Sequence, residues 1–461
     1  MIASPRSFID LDLALWRVDA VSIVLIVLVV GIAAAVLPYA HRSLRGDRHG
    51  RAVTAAIAVM LVATALVSVA GELWMLALGW SVATAATLAA LGLGGGRAAL
   101  VRSTGWLLAG DLALWTAVVL HAAAVGGDAI PLLLVVAALL RCALPPAHVW
   151  LVDSLHAPTP VSAALHGGIV NGGGILVITQ IDVIAPNALA VTVLASIACA
   201  AIVVGMIAAL VRTDIKGRLV MSTVAQMGFM LLCAALGLIA AALLHLVAHG
   251  FYKSSLFLSS SDGIDRRAAD RRAPRLIALA PAARAIRATA GALLAVTALV
   301  VSALAFYPGS RGAADLVVLV VLGAAFGAAG ARLTALVPGA ARALAAALLG
   351  AGAAIAFVVG TSMLTAVLGL QRPAASSAAP VVLALAAATL LALVAVAALR
   401  RWAPASRPAL ALLAFGHRLG APALRIRRAR SGHDPALATA STPAPAADRP
   451  QSEPASVGVA S

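Results

Sequence analysis

Three titratable side chains recur every four residues within one apolar stretch of the chain. His245, His249 and Lys253 stand in "HLVAHGFYKSSLFLSS", residues 245–260. In a helix this spacing places them on one face, about 6 Å apart along the axis. Histidine titrates near neutral pH, and burial disfavours the charged form of a lysine. The pattern predicts a ladder that passes protons between these side chains and intervening water.

A second polar group lies in residues 139–178, where prolines and glycines interrupt the apolar sequence. Proline removes a backbone donor and kinks a helix, and glycine permits close approach or local unwinding. Irregular backbone at membrane depth is tolerated only against protein or a water-filled cavity. We therefore expect a broken helix beside a water path, which Ser222 and Gln226 would also line. The polar residues of the segment are Arg141, His148, Asp153, His156, His166 and Asn171.

Each polar residue also has a purely structural interpretation. A single histidine in a helical bundle is more often a hydrogen-bonded packing residue, which is our expectation for His121 and His156. Three titratable groups on one membrane-embedded face cost too much for packing alone, so the ladder favours function. Asp111 is a single acid in its apolar stretch, and the sequence leaves both interpretations open.

Positioning such residues requires a membrane scaffold. The chain is 62% hydrophobic and 11% charged, with a mean hydropathy of +1.04, far from soluble compositions. Stretches of about 20 apolar residues can cross a bilayer as helices. We predict an all-α, polytopic transmembrane bundle over residues 1–399 with about thirteen spans. They lie near 18–39, 52–70, 73–93, 99–124, 129–144, 160–181, 189–211, 219–237, 239–260, 285–307, 313–337, 340–366 and 378–399.

The net charge of +16 comes from arginine-rich bursts between these spans. With thirteen spans the bursts all fall on one side, which the positive-inside rule makes cytoplasmic. We therefore expect a multi-pass protein of the cell membrane with its N-terminus outside and its C-terminal tail in the cytoplasm. The arginines are not gathered into a folded basic domain, so the sequence does not indicate nucleic-acid binding. The basic segments are 41–51, 94–102, 212–218, 262–287 and 400–430.

The C-terminal part divides by composition into two segments. Residues 400–430 are basic, and we expect a juxtamembrane helix or arm attracted to anionic lipid. Residues 431–461 have too few large apolar residues to fold alone, and we expect a disordered tail.

The sequence indicates neither a cofactor nor a metal site in this chain. Cys142, Cys199 and Cys233 are each embedded in apolar sequence without metal-ligand spacing, which favours inert buried thiols. Phosphate-binding and nucleophile motifs are not found in a suitable context. The first apolar run is too long for a secretory signal and is expected to be retained. We expect no chemical catalysis by the chain on its own, although the sequence leaves this open.

Three motifs carry a family resemblance. They are "HVWLVDSLHAPTPVSAALH" (148–166), "DIKGRLVMSTVAQMGFM" (214–230) and residues 245–260. Here the chain resembles the proton-conducting antiporter-like membrane subunits of respiratory complex I, membrane-bound hydrogenases and Mrp-type cation antiporters, over about residues 70–265. The resemblance implies two broken helices. It also implies proton-path roles for Lys253, His249, His245 and His166, and it places Arg141 where the family has a gating lysine. We expect Arg141 and Asp153 to belong to the same proton path.

Departures from the family pattern point to a narrower branch. Ser81 stands in "LGWS" where the family has a glutamate, and Arg141 cannot release its proton as lysine can. Arg141 is then a fixed charge or the partner of Asp153. These features resemble the membrane subunit of DAB-type inorganic-carbon pumps. That resemblance implies a large zinc-containing, carbonic-anhydrase-like cytoplasmic partner, and proton or cation entry that drives conversion of carbon dioxide to bicarbonate.

Two other functions fit the sequence. The first is an antiporter-like proton-translocating subunit of a respiratory NADH dehydrogenase, a hydrogenase or an Mrp-type complex, coupled to redox or cation-transport subunits. The second is a membrane anchor that has lost conduction, which Ser81 and Arg141 favour and the histidine–lysine ladder opposes.

Overall fold

The computed structural model describes residues 11–13, 15–94, 96–260, 280–306, 313–337, 339–369 and 377–420. The predicted tail 431–461, and parts of the basic segments 262–287 and 400–430, lie outside the described residues.

Helices dominate the described chain. Their bounds are α1 (Ala20–Ser43), α2 (Gly50–Ser68), α3 (Leu73–Gly94), α4 (Arg97–Ala122), α5 (Ala129–Arg141), α6 (His148–Asp153), α7 (Thr159–Ala164), α8 (Asn171–Thr179), α9 (Ile181–Ile184), α10 (Ala188–Val211), α11 (Ile215–Ala235), α12 (Ile239–Ser259), α13 (Pro281–Phe306), α14 (Ala313–Leu336), α15 (Ala340–Val367), α16 (Ala379–Trp402) and α17 (Arg407–Gly420). A 3₁₀ turn (Ser154–His156) follows α6, and a π-helical turn (Leu165–Ile169) joins α7 to α8.

The membrane bundle predicted from the sequence is confirmed. Ten helices in the described ranges are long and apolar enough to cross a bilayer, one of them formed by α7, the π turn and α8 together. Two shorter apolar helices are Ala129–Arg141 and Leu319–Ala335. The remaining predicted span is α12, whose apolar run contains the ladder residues. Each of the thirteen predicted spans thus coincides with a helix.

One small element departs from the all-α prediction. Strand β1 (Leu11–Leu13) pairs antiparallel with β2 (Trp16–Val18), and Leu11 lies opposite Val18. The hairpin is too short to produce a recognisable alternating pattern in the sequence. It precedes α1, which Asp19 and Ser22 begin with reciprocal side-chain to backbone hydrogen bonds of 2.7 and 2.8 Å.

The broken helix expected in residues 139–178 is present. α5 ends at Arg141, α6 begins at His148, and the later helix is interrupted by the π turn. Gly167 in that turn faces Ser254 and Gly250 of α12 so closely that any side chain would collide with them. The glycine therefore allows the π turn to pack directly on the helix that carries the ladder.

The second expected break is not found within α12. This helix runs continuously from Ile239 to Ser259 in the described chain. It contains no proline and a single glycine, Gly250, so its backbone hydrogen bonds can continue without interruption. The ladder residues accordingly keep regular helical spacing.

Candidate functional site

Lys253 is buried between α11 and α12. Its Nζ donates hydrogen bonds to the carbonyl oxygen of Leu219 at 3.0 Å and to Oγ of Ser222 at 2.6 Å. The residue is 1% exposed. Both partners are neutral, and among the described ion pairs no carboxylate contacts this lysine. A buried ammonium group that is held only by neutral oxygens lacks the opposite charge that normally stabilises a buried charge.

The two ladder histidines continue from Lys253 along α12. The rings of His245 and His249 stack with centroids 5.8 Å apart, and Phe229 of α11 packs edge-on against His245 at 5.1 Å. His249 is 3% exposed. Within the described chain, neither ring nitrogen of His249 nor Nε2 of His245 has a hydrogen-bond partner.

His166 reaches the same place from the π turn. Its Nδ1 lies 3.1 Å from Oγ1 of Thr223, and its ring stacks on Phe257 with centroids 4.3 Å apart. Thr223 follows Ser222, the partner of Lys253, in α11. The fold thus brings His166, His245, His249 and Lys253 together around one face of α11. Nε2 of His166 is also buried without a described partner.

Arg141 lies in a separate cluster between α3, α4 and α5. Its Nη2 donates to Oγ1 of Thr84 at 2.7 Å and to the carbonyl oxygen of Trp80 at 3.1 Å, and lies 3.5 Å from Oδ1 of Asp111. Thr84 donates to the same Asp111 oxygen at 2.7 Å. The guanidinium carbon lies 4.1 Å from the centre of the Trp80 ring. Arg141 is therefore a held charge, and Asp111, left open by the sequence, is its counterion.

Asp153 is not the partner of Arg141, which corrects one of the two expectations from the sequence. Its carboxylate accepts two hydrogen bonds from Arg102, at 2.5 Å from Nε and 2.7 Å from Nη2. Asp153 ends α6 and Arg102 lies near the start of α4, so this pair joins two helix ends away from the ladder. Asp153 is 1% exposed. Sequence reasoning assigned Arg102 only to membrane topology, because its partner lies 51 residues away.

Ser81 lies next to the cluster formed by Arg141, Thr84 and Asp111. It accepts a hydrogen bond from Nε1 of Trp115 at 3.0 Å and lies within hydrogen-bonding reach of Asp111. Asp111 of α4 thus lies near the position on α3 where the resemblance leads one to expect a carboxylate. The sequence alone does not reveal this proximity, because the two positions become neighbours only after packing.

A small cavity separates the two clusters. Trp80, Ala83 and Arg141 line it on one side, and Ile169 and Gly172, at the π turn and the start of α8, line it on the other. Asn171 donates to the carbonyl oxygen of Gly167 at 2.6 Å and so braces the π turn. Nε1 of Trp80 and Oδ1 of Asn171 are buried without partners in the described chain.

The other polar residues of segment 139–178 lie apart from the ladder. Nε2 of His148 lies 3.3 Å from the carbonyl oxygen of Leu419 in α17. His156 is exposed in the 3₁₀ turn. Cys142, Cys199 and Cys233 are free and buried. In the described ranges no group of three or more histidine, cysteine or acidic side chains could hold a metal ion.

Comparison with known proteins agrees with this fold. A family described as "NADH:quinone oxidoreductase/Mrp antiporter, TM" matches residues 87–304. The structure of the Mrp complex from Dietzia sp. DQ12-45-1b has a TM-score of 0.55 and 23% identity, covering 88% of this chain and 52% of that chain. These matches show that the chain has the fold of antiporter-like membrane proteins, and the family model covers slightly less than half of its length.

Proteins with similar sequences belong to two groups of membrane subunits. The probable inorganic carbon transporter subunit DabB of Bacillus subtilis (strain 168) is 42% identical over 137 residues, 30% of this chain and 27% of that protein. DabB2 of Halothiobacillus neapolitanus is 44% identical over 133 residues, 29% and 24% of the two chains. NAD(P)H-quinone oxidoreductase chain 5 of Synechocystis sp. is 34% identical over 120 residues, 26% and 18%. The chain is thus related to DabB and to complex I chain 5, and the matches span about a quarter or less of those relatives.

Proposed function

We propose that this chain conducts protons or cations across the cell membrane along His166, His245, His249 and Lys253. The observation that carries the proposal is a group of five buried polar atoms without partners in the described chain, four of which are ring nitrogens of histidines that can exchange protons. They are Nε2 of His166, Nε2 of His245, both ring nitrogens of His249 and Oε1 of Gln226.

Such atoms require water. A buried polar atom left unsatisfied costs about 1–3 kcal/mol, and internal water molecules normally satisfy these atoms. Five such atoms on α11, α12 and the π turn would together cost about 5–15 kcal/mol, which is comparable to the whole stability of a typical domain. Water molecules linking the imidazoles are the physical solution, and such a chain of water and imidazole transfers protons.

Lys253 suits the role of a reversible charge in this path. A conducting site must gain and lose its charge, and a carboxylate in contact would oppose the loss. Lys253 instead has two neutral oxygen partners. The membrane potential supplies enough energy to drive the cycle, since one charge crossing 100 mV releases about 2.3 kcal/mol.

Arg141 has a different part in this proposal. A guanidinium keeps its proton at all relevant pH values, so Arg141 cannot relay protons. Its charge instead stabilises the ionised form of Asp111 across the short distance between them. The held charge of Arg141 also contributes to the field at the π turn, because Arg141 and Ile169 of that turn line the same small cavity.

We further propose that conduction is coupled to inorganic carbon uptake. The identity to DabB proteins is higher than the identity to chain 5, which supports this reading over a respiratory subunit. The coupled partner would be a large zinc-containing, carbonic-anhydrase-like cytoplasmic subunit, and the zinc chemistry would belong to that partner. The N-terminus would lie outside and the C-terminal tail in the cytoplasm, as the basic segments indicate.

Purification of the tagged chain from its native membrane tests this proposal. We expect a large zinc-bearing protein to co-purify, and the complex to let a host without carbonic anhydrase grow without added bicarbonate. Redox subunits in its place would move the assignment to a respiratory or hydrogenase complex. Uptake that survives loss of conduction in Lys253→Met would identify the chain as an anchor.

A further inference from the structure

We propose that α17 binds anionic lipid headgroups and fastens the predicted cytoplasmic ends of α10 and α6. The inference rests on the docking of one end of this helix and on the charge and exposure of the rest. It is independent of which ion the chain conducts.

The C-terminal end of α17 is fixed by polar contacts. Nη1 of Arg212 donates to the carbonyl oxygen of Gly420 at 2.8 Å, and Nε2 of His148 lies 3.3 Å from the carbonyl oxygen of Leu419. The last carbonyls of a helix have no partner within it, and they carry its negative end. Two basic side chains from other elements therefore hold this end.

Small residues let α17 lie close against α10. Ala409, Gly416 and Gly420 are buried. A side chain at Gly416 would come within 3.0 Å of the carbonyl oxygen and 2.9 Å of the side chain of Ile207. These three residues fall on one side of the helix, so α17 has a defined docked face.

The rest of α17 and its approach are exposed and have no acidic residue. Leu410 is 54% exposed, Phe415 43%, and Trp402, just before the helix, 81%. Arg407 and Arg418 are exposed, as are the neighbouring Arg400 and Arg401, and the sequence contains no Asp or Glu from residue 316 to residue 433. Arginines beside exposed tryptophan, phenylalanine and leucine are typical of helices that lie in the headgroup region.

The positive charge of the exposed face of α17 indicates what binds to it. Uncompensated arginines on this surface attract phosphate headgroups rather than another cationic or apolar surface. The helix follows α16, a candidate membrane span, after only four residues, so its first turn lies close to the bilayer surface. An anionic membrane surface is therefore the partner that fits both its position and its chemistry.

The docked end links this surface to the proposed path. Arg212 immediately precedes the loop to α11, which carries the Ser222 and Thr223 contacts, and His148 begins α6. Lipid bound along α17 would hold these two helix ends in place. Loss of the lipid would free them.

Quenching of tryptophan fluorescence by brominated lipid tests the binding. The full-length protein in detergent is titrated with brominated phosphatidylglycerol, and the Trp402 signal is taken as the difference from Trp402→Phe. We expect brominated phosphatidylglycerol to quench the Trp402 fluorescence at a lower concentration than brominated phosphatidylcholine does. Arg407→Gln with Arg418→Gln should weaken binding about 25-fold, about fivefold for each arginine, and Arg407→Lys with Arg418→Lys should restore it.

The matched control is Arg45→Gln with Arg48→Gln, which removes two exposed arginines from another predicted cytoplasmic segment. It should leave the Trp402 quenching unchanged. Equal quenching by both lipids, or equal weakening by both pairs of substitutions, would overturn the proposal. Fastening is measured separately by hydrogen exchange in α17, which phosphatidylglycerol should slow in the natural chain and not in Arg212→Gln. Slowing in both chains would refute the fastening.

Discussion

Replacing Lys253 by methionine separates its role in conduction from its role in folding. Methionine has nearly the same length and no charge, so it can fill the same space between α11 and α12. The substitution removes hydrogen bonds of 3.0 and 2.6 Å to Leu219 and Ser222. Both oxygens keep other partners, because Ser222 Oγ donates to the Leu219 carbonyl at 2.9 Å and Thr223 Oγ1 does so at 3.0 Å.

The effect on stability should therefore be small. No buried acceptor is left unpaired, and a buried charge without an ionic partner is removed. Replacing buried charges by apolar groups of similar size is often neutral or stabilising. We expect the free energy of unfolding to change by less than about 1 kcal/mol, which a thermal unfolding curve of the purified protein measures.

The effect on conduction should be large. Loss of a positioned proton-transfer group typically slows such a step about 100-fold or more. Proton flux is measured in liposomes containing the protein and a trapped pH-sensitive dye, with a potassium diffusion potential set by valinomycin. Lys253→Arg is the matched variant, since it keeps the charge and cannot release its proton, and it should conduct as poorly as Lys253→Met. Flux within twofold of the natural chain in either folded variant would refute the role of Lys253 in the path.

Three further predictions concern the scaffold. Arg141→Ala should lower the free energy of unfolding by about 3–5 kcal/mol because it leaves the Asp111 charge buried alone, and the cycle with Asp111→Ala should give a coupling of about 1–3 kcal/mol; additive effects would mean that the two do not interact. Gly173→Ala should prevent stable folding, because its Cβ would collide with the Ala138 carbonyl and the Cys142 sulfur, whereas Gly172→Ala, with no neighbour nearer than 3.5 Å, should fold; similar expression of both would contradict this packing. Burial alone would raise the pKa of Asp214, but hydrogen bonds from Arg212 and the Gly217 amide lower it. The Asp214 carboxylate, which caps the start of α11, therefore stabilises the fold above about pH 4, and this stabilisation is lost on further acidification. Unfolding curves of Asp214→Asn should show a weaker pH dependence over that range.

The sequence predicted the scaffold well because membrane spans are encoded locally. A stretch of about 20 apolar residues is enough to predict a helix that crosses the bilayer, and each predicted span coincides with a helix. The ladder was equally local, since His245, His249 and Lys253 lie on one helix and their spacing fixes a common face. The approach of His166 was implied only by the resemblance, because it depends on a π turn packed against α12 at Gly167.

Ion pairing was the part that the sequence could not predict. Asp153 pairs with Arg102 and Arg141 with Asp111, partners 51 and 30 residues apart in the chain. Neither pair follows from spacing, because each joins different helices whose rotation is set by packing. The sequence identified Asp111, Arg141 and Asp153 as unusual polar residues in apolar segments and assigned Arg102 to a cytoplasmic segment, yet only the assembled bundle shows which charges meet.

The two buried cations of the site differ in a way that bears on mechanism. Arg141 shares its Nη2 among a carbonyl, a hydroxyl and a carboxylate, and an aromatic face covers its guanidinium. Lys253 has only two neutral partners and adjoins imidazoles with unpartnered nitrogens. Removing the proton from Arg141 would leave Asp111 without its counterion, whereas removing it from Lys253 strands no opposite charge. If the chain conducts as proposed, the charge that is gained and lost is therefore to be sought on α12, and Arg141 remains a fixed charge.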